Sequence, residues 1–122
     1  MRDSLFPVFS VIMPTYNSAA FVRESLESLI SQDFESWECV IVDDCSGDNT
    51  ISIIDEFCDR DSRFKLIRNS KNKGPAFSRN LAITESCGRY IAFLDSDDLW
   101  MPRKLSSQYE HFSRTGAQFI FS

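Results

Sequence analysis

Asp95-Ser96-Asp97-Asp98 places three carboxylates within four residues. Like charges at that spacing repel one another, and burying them unpaired is costly. A cation relieves that strain. Hard divalent ions such as Mg²⁺ and Mn²⁺ take oxygen ligands, and Mg²⁺ often uses one or two carboxylates beside substrate phosphates. The competing reading is a solvated acidic turn. Position weighs against it. The cluster follows an apolar run, Tyr90-Ile91-Ala92-Phe93-Leu94, and a second acidic pair, Asp43-Asp44, follows another, Cys39-Val40-Ile41-Val42.

Further chemistry-bearing residues sit in comparable places. Tyr16, in Pro14-Thr15-Tyr16-Asn17, follows the apolar run Phe9–Met13 and can either stack on a base or serve packing alone. Asp44 can accept hydrogen bonds from a base imide or a ribose; the alternative for Asp43 and Asp44 is turn formation and capping. Lys71, Lys73 and Arg79 are candidates for holding phosphate, against a solvated surface role, and Arg79 stands out because it follows a basic loop on the start of a helix. The chain has four glycines and neither GxGxxG nor GxxxxGK[ST]. With no glycine cradle, bound phosphates would need a metal ion plus Lys or Arg.

The elements that must carry these residues alternate. Phe9–Met13 reads as a strand buried on both faces, broken by Pro14, with Asn17 or Ser18 able to cap the helix that follows. Val22, Leu26, Leu29 and Ile30 share one face of that helix. After the connector 34–37 comes the strand Cys39–Val42. Asp48 can cap a second helix striped by Ile51, Ile54 and Phe57. Phe64–Arg68 is a shorter, more polar strand suited to an edge. Residues 69–74 form the basic loop and Pro75 suits a first helical turn. Phe77, Leu81 and Thr84 share a face of the third helix, and Gly88 is a candidate C-terminal stop. Pro102 opens a fourth helix with Leu105, Tyr109 and Phe112 in register and Gly116 at its end; Gln118–Phe121 begins a fifth strand. Such alternation predicts an α/β domain with a mainly parallel sheet and right-handed crossovers. Ligands of such sheets bind beyond the carboxyl ends of the strands, where the polar residues above collect.

Composition narrows the function. The 122 residues amount to one domain or part of one, and no disulfide staple is needed at this size. A formal charge of −5, from 13 Lys and Arg against 18 Asp and Glu, argues against a general nucleic-acid surface. Cys39, Cys45, Cys58 and Cys87 lack metal-ligand spacing and His111 is the lone histidine, so zinc and Cys–His chemistry are not expected. Cys39 sits in an apolar run and Cys58 on an apolar helical face, so buried free thiols in a reducing compartment are the simplest reading. Met1–Pro7 lacks the apolar segment of a signal peptide, and no run reaches membrane-spanning length. An EF-hand from Asp95 would want Gly and Glu where Trp100 and Ser106 stand, and a phosphate-accepting receiver domain would carry acidic residues where Pro14–Asn17 lie.

Val11-Ile12-Met13-Pro14-Thr15-Tyr16-Asn17, Ile41-Val42-Asp43-Asp44-Cys45-Ser46, Asn72-Lys73-Gly74 with Ala76, Arg79-Asn80 and Ala82, and Gly88 through Asp98 resemble the family 2 glycosyltransferases of the GT-A fold. The likeness runs from Phe9 to Leu105, with the motifs in order and at the right spacing. It implies a Rossmann-like GT-A domain, a nucleotide-sugar donor (a UDP-sugar first), a glycan or lipid-linked acceptor, and a divalent metal, Mg²⁺ or Mn²⁺. By motif position, Pro14 and Tyr16 would line the base pocket and Asp44 would bind the base. Asp95 would lie near the ribose or sugar, Arg79 would face the donor's phosphates or base, and Asp97 would meet the metal and diphosphate. The setting implied is polysaccharide biosynthesis in the cytoplasm, peripheral at the inner face of the membrane.

The family's general base and acceptor region lie C-terminal to the metal motif, beyond residue 122. Residues 1–122 are therefore expected to be the donor-binding half, a single domain incomplete at its C-terminus. An unpaired sheet edge would favour a homo-oligomer. The remaining alternative is a non-catalytic nucleotide-binding or interaction module that keeps the fold without transfer.

Overall fold

The computed structural model describes residues 6–115 and 120–121. Strands and helices alternate as β1 (Phe9–Thr15), α1 (Val22–Ile30), β2 (Trp37–Asp43), α2 (Thr50–Arg60), β3 (Phe64–Arg68), α3 (Pro75–Thr84), β4 (Tyr90–Phe93), α4 (Lys104–Thr115) and β5 (Ile120–Phe121). The sheet order is β3-β2-β1-β4-β5 and every pairing is parallel. The chain winds outward from β1 to β3, then returns to pair β4 with the other side of β1. The strand order therefore reverses between β1 and β4, which opens a crevice at their carboxyl ends.

The period of two along the strands divides the core. Phe9, Val11 and Met13 of β1 face one way, packing with Cys39 and Ile41 against Val22, Leu26, Leu29, Ile54, Phe57, Leu105 and Phe112 of α1, α2 and α4. Ile12, Val40 and Val42 face the other way, onto Ala82 of α3. Both faces are covered, which is why β1 and β2 are almost continuously buried. As expected, β3 is an edge.

Several local readings change. β2 begins at Trp37, two residues before the expected start at Cys39, because a buried Glu38 is fully satisfied there. Its carboxylate accepts hydrogen bonds from Ser10 Oγ (2.6 Å), the Cys87 N–H (2.7 Å) and Lys65 Nζ (2.8 Å). Burial alone would raise its pKa; the Lys65, Ser10 and Cys87 bonds outweigh that and hold it below the usual Glu range. The α2 stripe is Thr50, Ile54 and Phe57, with Ile51 only half-buried. On α3 the buried residues are Ser78 and Ala82, while Phe77 and Thr84 are exposed. Small side chains there let the helix lie close to the sheet.

Gly88 does not stop α3, which is capped at Glu85. A Cβ at Gly88 would come within 2.5 Å of Ser10 Oγ, 2.6 Å of Ser10 N and 2.7 Å of Phe9 C. Glycine is needed there for close approach to the central strand. Pro102 lies in the turn just before α4 rather than on its first turn. Gly116, Gln118 and Phe119 lie outside the described residues. No described helix is long and apolar enough to cross a membrane.

Candidate functional site

Parallel register brings the motifs together. β1 and β2 run level from Phe9↔Trp37 to Thr15↔Asp43, and the Asp44 N–H donates to the Thr15 carbonyl at 2.9 Å. The next residues out, Tyr16 and Asp44, therefore emerge at the same rim. On the other side of β1, Ile12 is level with Phe93, and the Leu94 N–H donates to the Ile12 carbonyl at 3.0 Å. That pairing delivers Asp95 to the crevice beside Pro14.

Two clefts result. One, of about 610 Å³, is lined by Pro14, Tyr16, Asp44, Asn72, Lys73 and Ser78 among others. The second, of about 370 Å³, is lined by Pro14, Tyr16, Phe21, Arg79, Asp95 and Asp97 among others. Pro14 and Tyr16 belong to both, so the half-exposed Tyr16 ring is shared wall between them. All six of the singled-out residues, Pro14, Tyr16, Asp44, Arg79, Asp95 and Asp97, thus line one continuous rim. Lys71 lines neither cleft. Lys73 lines the larger, with its ammonium 5.2 Å from the centre of the Phe77 ring.

The two acidic residues after β2 do different things. Asp43 is buried and structural. Its carboxylate accepts from Thr15 Oγ1 (2.7 Å), Ser46 Oγ (2.6 Å) and the Ser46 N–H (2.8 Å), fixing the turn. Asp44 reaches across to the loop before α3. Its Oδ1 accepts from Lys73 N–H (2.7 Å) and Asn69 Nδ2 (2.9 Å), its Oδ2 accepts from Gly74 N–H (3.0 Å), and its carbonyl accepts from Asn72 Nδ2 (2.7 Å). Burial disfavours the Asp44 charge, but these donors more than compensate and hold its pKa below the usual Asp range. Gly74, at φ 94°, takes a backbone conformation suited to glycine and so can aim its N–H at that carboxylate. Asp44 is accordingly both a clasp on the loop and a charged acceptor at the cleft wall.

The acidic turn is held from below. The Asp98 N–H donates to the Asp95 carbonyl at 3.0 Å, closing it. One carboxylate oxygen each from Asp95, Asp97 and Asp98 lies within 4.8 Å of the others, and all three side chains are exposed. An all-oxygen, solvent-reachable donor set of that span fits a hard divalent cation. Asp98 joins Asp95 and Asp97 in this cluster.

α1 supplies the support. Ser25 is fully buried, and its hydroxyl meets the carbonyls of Ser96 (2.8 Å) and Asp98 (2.5 Å). Ser28 Oγ accepts from the Trp100 N–H at 3.1 Å. Gln32 donates to the Met101 carbonyl at 2.7 Å and accepts from the Leu105 N–H at 3.0 Å. Ser18 and Ser96 share a hydroxyl–hydroxyl bond of 2.7 Å. Neither Ser18 nor Asn17 caps α1 by its side chain. Asn17 instead accepts from the Gly47 N–H at 2.8 Å, tying the loop after β1 to the loop after β2. Asp48 lies one residue before the α2 N-cap, Asn49, rather than at it, and accepts from the Thr50 N–H at 3.0 Å. Asn17 and Cys45 are the non-glycine residues at positive φ among those described, 49° and 65°, and both flank the rim.

The serine and glutamine supports, with Asn69 and Asn72, escape a reading of the sequence for chemistry. Their trace is Ser25, Ser28 and Gln32 at three- and four-residue spacing beside the apolar stripe of α1.

This parallel α/β sheet, with its acidic turn at the switch point, has the fold of the GT-A glycosyltransferase domains that the solved structures below represent. Residues 10–122 match the model of Glycosyl transferase family 2, and the chain belongs to that family. It is 41% identical over 112 residues to the UDP-Glc:alpha-D-GlcNAc-diphosphoundecaprenol beta-1,3-glucosyltransferase WfgD of Escherichia coli, covering 92% of this chain and 44% of WfgD. WfaP of the same species, named for the same reaction, is 43% identical over 111 residues, covering 91% of this chain and 43% of WfaP. Among solved structures, S. aureus TarS 1-349 in complex with UDP-GlcNAc superposes with a TM-score of 0.84 at 37% identity, covering 88% of this chain and 32% of that one. The mannosyltransferase PcManGT from Pyrobaculum calidifontis, in complex with GDP-Man and Mn²⁺, gives 0.80 at 28% identity, covering 93% and 34%. The chain thus spans less than half the length of these curated relatives.

Proposed function

We propose that this chain is the donor-binding region of an enzyme that moves a sugar from a nucleoside-diphosphate sugar, a UDP-sugar first, to a glycan or lipid-linked acceptor. The observation that carries the proposal is the shared wall: Pro14 and Tyr16 join a cleft ending at Asp44 to one holding Arg79, Asp95 and Asp97. A nucleoside diphosphate has the same order, a flat base at one end and an anionic diphosphate at the other. In this reading the base lies against Pro14 and Tyr16 and is met by Asp44. Asp95 lies by the ribose or sugar, and Arg79 faces the phosphates. Asp97, with Asp95 and Asp98 beside it, would hold the divalent ion. Bound there, such an ion neutralises charge developing on the departing nucleoside diphosphate.

Known proteins support the classes of donor and metal. TarS is described with UDP-GlcNAc and PcManGT with GDP-Man and Mn²⁺. The acceptor named for WfgD is linked to undecaprenol diphosphate. That favours a lipid-linked acceptor in polysaccharide assembly, with the protein in the cytoplasm and peripheral at the membrane's inner face. Mn²⁺ is proposed ahead of Mg²⁺ on the PcManGT complex alone.

Among the described residues, no carboxylate of this rim is left for the role of general base. Asp43 and Asp44 are committed to turn and loop, the acidic turn belongs to the donor, and Glu110 is paired with Arg103 at 2.9 Å on an exposed face of α4. We therefore assign the base and the acceptor site to residues beyond residue 122.

Calorimetry with UDP, UDP-GlcNAc and GDP-mannose, each with and without Mn²⁺, tests the proposal. UDP binding that tightens with Mn²⁺ is the expected outcome. Failure of all three nucleotides to bind in either condition would refute it.

A further inference from the structure

We propose that Ser25 is the positioning residue of the cation turn, its hydroxyl bridging the carbonyls on either side of Asp97 so that the three carboxylates stand at ligand spacing before a cation arrives. The inference rests on the cation reading given above.

Asp95, Asp97 and Asp98 are confined to one tight turn with their nearest oxygens within 4.8 Å of one another. Mutual repulsion of three exposed carboxylates pushes such a turn open. The hydrogen bond from the Asp98 N–H to the Asp95 carbonyl resists this from within. Ser25 resists it from outside. It is fully buried on α1, and its hydroxyl meets the Ser96 carbonyl at 2.8 Å and the Asp98 carbonyl at 2.5 Å. A serine in mid-helix ordinarily bonds back to its own helix or points to solvent. This one points at another segment, and its single O–H proton is shared between the carbonyls on either side of one residue. The hydroxyl bond between Ser18 and Ser96 and the bond from the Trp100 N–H to Ser28 hold the flanks. A helix-anchored turn pays the cost of ordering during folding, so less is lost when a ligand binds. Outer partners that orient metal ligands typically contribute about 10- to 100-fold in metal affinity.

The test is Mn²⁺ titration, followed by the electron paramagnetic resonance of free Mn²⁺, on wild type and on Ser25→Ala, Ser25→Cys and Ser25→Thr. Ala and Cys variants should each bind Mn²⁺ about 10- to 100-fold more weakly. The Thr variant, which keeps a hydroxyl, should recover affinity. Metal-free UDP binding should fall far less than Mn²⁺ binding, because the base wall at Asp44 does not touch Ser25. In metal-free protein, amide exchange should quicken at Asp98 and stay the same at Val40 in β2. Cys preserves side-chain size and removes the strong donor, so it carries the test if Ala fails to fold. Variants that match wild type in Mn²⁺ affinity and Asp98 exchange overturn the assignment of Ser25. A wild type that binds no Mn²⁺ overturns the cation reading instead, and the two failures are told apart by the wild-type titration.

Discussion

Asp44→Asn separates the charge of this residue from its shape. In the wild type, Oδ1 takes Asn69 Nδ2 and the Lys73 N–H, and Oδ2 takes the Gly74 N–H at 3.0 Å. An amide can match only one side. With its oxygen at the Oδ1 place, its NH₂ group faces the Gly74 N–H, donor against donor. One hydrogen bond to a charged acceptor is lost, worth about 1.5–3 kcal/mol, and two others fall to neutral strength. Water reaches the exposed Lys73 side and recovers part of this, so a net loss of about 2–3 kcal/mol at neutral pH is expected. The pH dependence gives the sharper check. The folded pKa of Asp44 lies below its ordinary value. Its contribution is therefore complete above the unfolded-state value of about 3.9 and is lost as pH falls through the lower folded value. Urea unfolding of both proteins between neutral pH and strongly acidic pH should give curves that are separated at neutrality and converge in acid. Curves that stay parallel throughout, or equal stability at neutrality, would show that the clasp does not depend on the charge.

Three further outcomes follow from the same geometry. Asp97→Ala should remove the Mn²⁺-dependent part of UDP affinity measured by calorimetry while keeping or raising the melting temperature, since one of three repelling charges is gone. Gly88→Ala should destabilise by about 1–3 kcal/mol in urea unfolding, because two of the three atoms its Cβ would strike are β1 backbone. Glu110→Gln, in the full-length protein, should leave the rate of sugar transfer unchanged; a fall of about 10²- to 10⁴-fold would make Glu110 the base and overturn the assignment of that role elsewhere.

Much of the frame is legible in the sequence because its determinants are local. Phe9–Met13 and Cys39–Val42 are too apolar for one-sided burial, and only a sheet covered on both faces accommodates them. Once those strands are parallel and level, Tyr16 must meet Asp44. What stays hidden depends on which atom faces which. Phe77 reads as core by its type, yet α3 buries Ser78 and Ala82 instead, because a helix lying close to a sheet admits small residues. Gly88 reads as a helix stop, and its role depends on the proximity of Ser10, 78 residues away in sequence. Glu38 falls outside the apolar run read as the second strand, and its place in β2 shows only when Ser10, Lys65 and Cys87 are seen to converge on it.

The rim carries its charges on short, partly unfavourable turns, and this explains where the fold spends its polar side chains. Asp43 anchors its own turn through Thr15 and Ser46, which leaves Asp44 free to reach the neighbouring loop. Ser25, Ser28 and Gln32 do the corresponding work after β4, bonding to backbone over the segment from Ser96 to Leu105. In each case one group of residues fixes the backbone so that another can present charge to solvent. Loops held only by their own residues could place three like charges in one turn only transiently, and a site that must assemble on binding loses affinity to that ordering. Support drawn from α1 and from the β1–β2 register makes the acidic turn and the Asp44 wall parts of one rigid edge. The distance between base wall and acidic turn is then set by the pairing of β1 with β2 and β4, which no substitution confined to the loops would change.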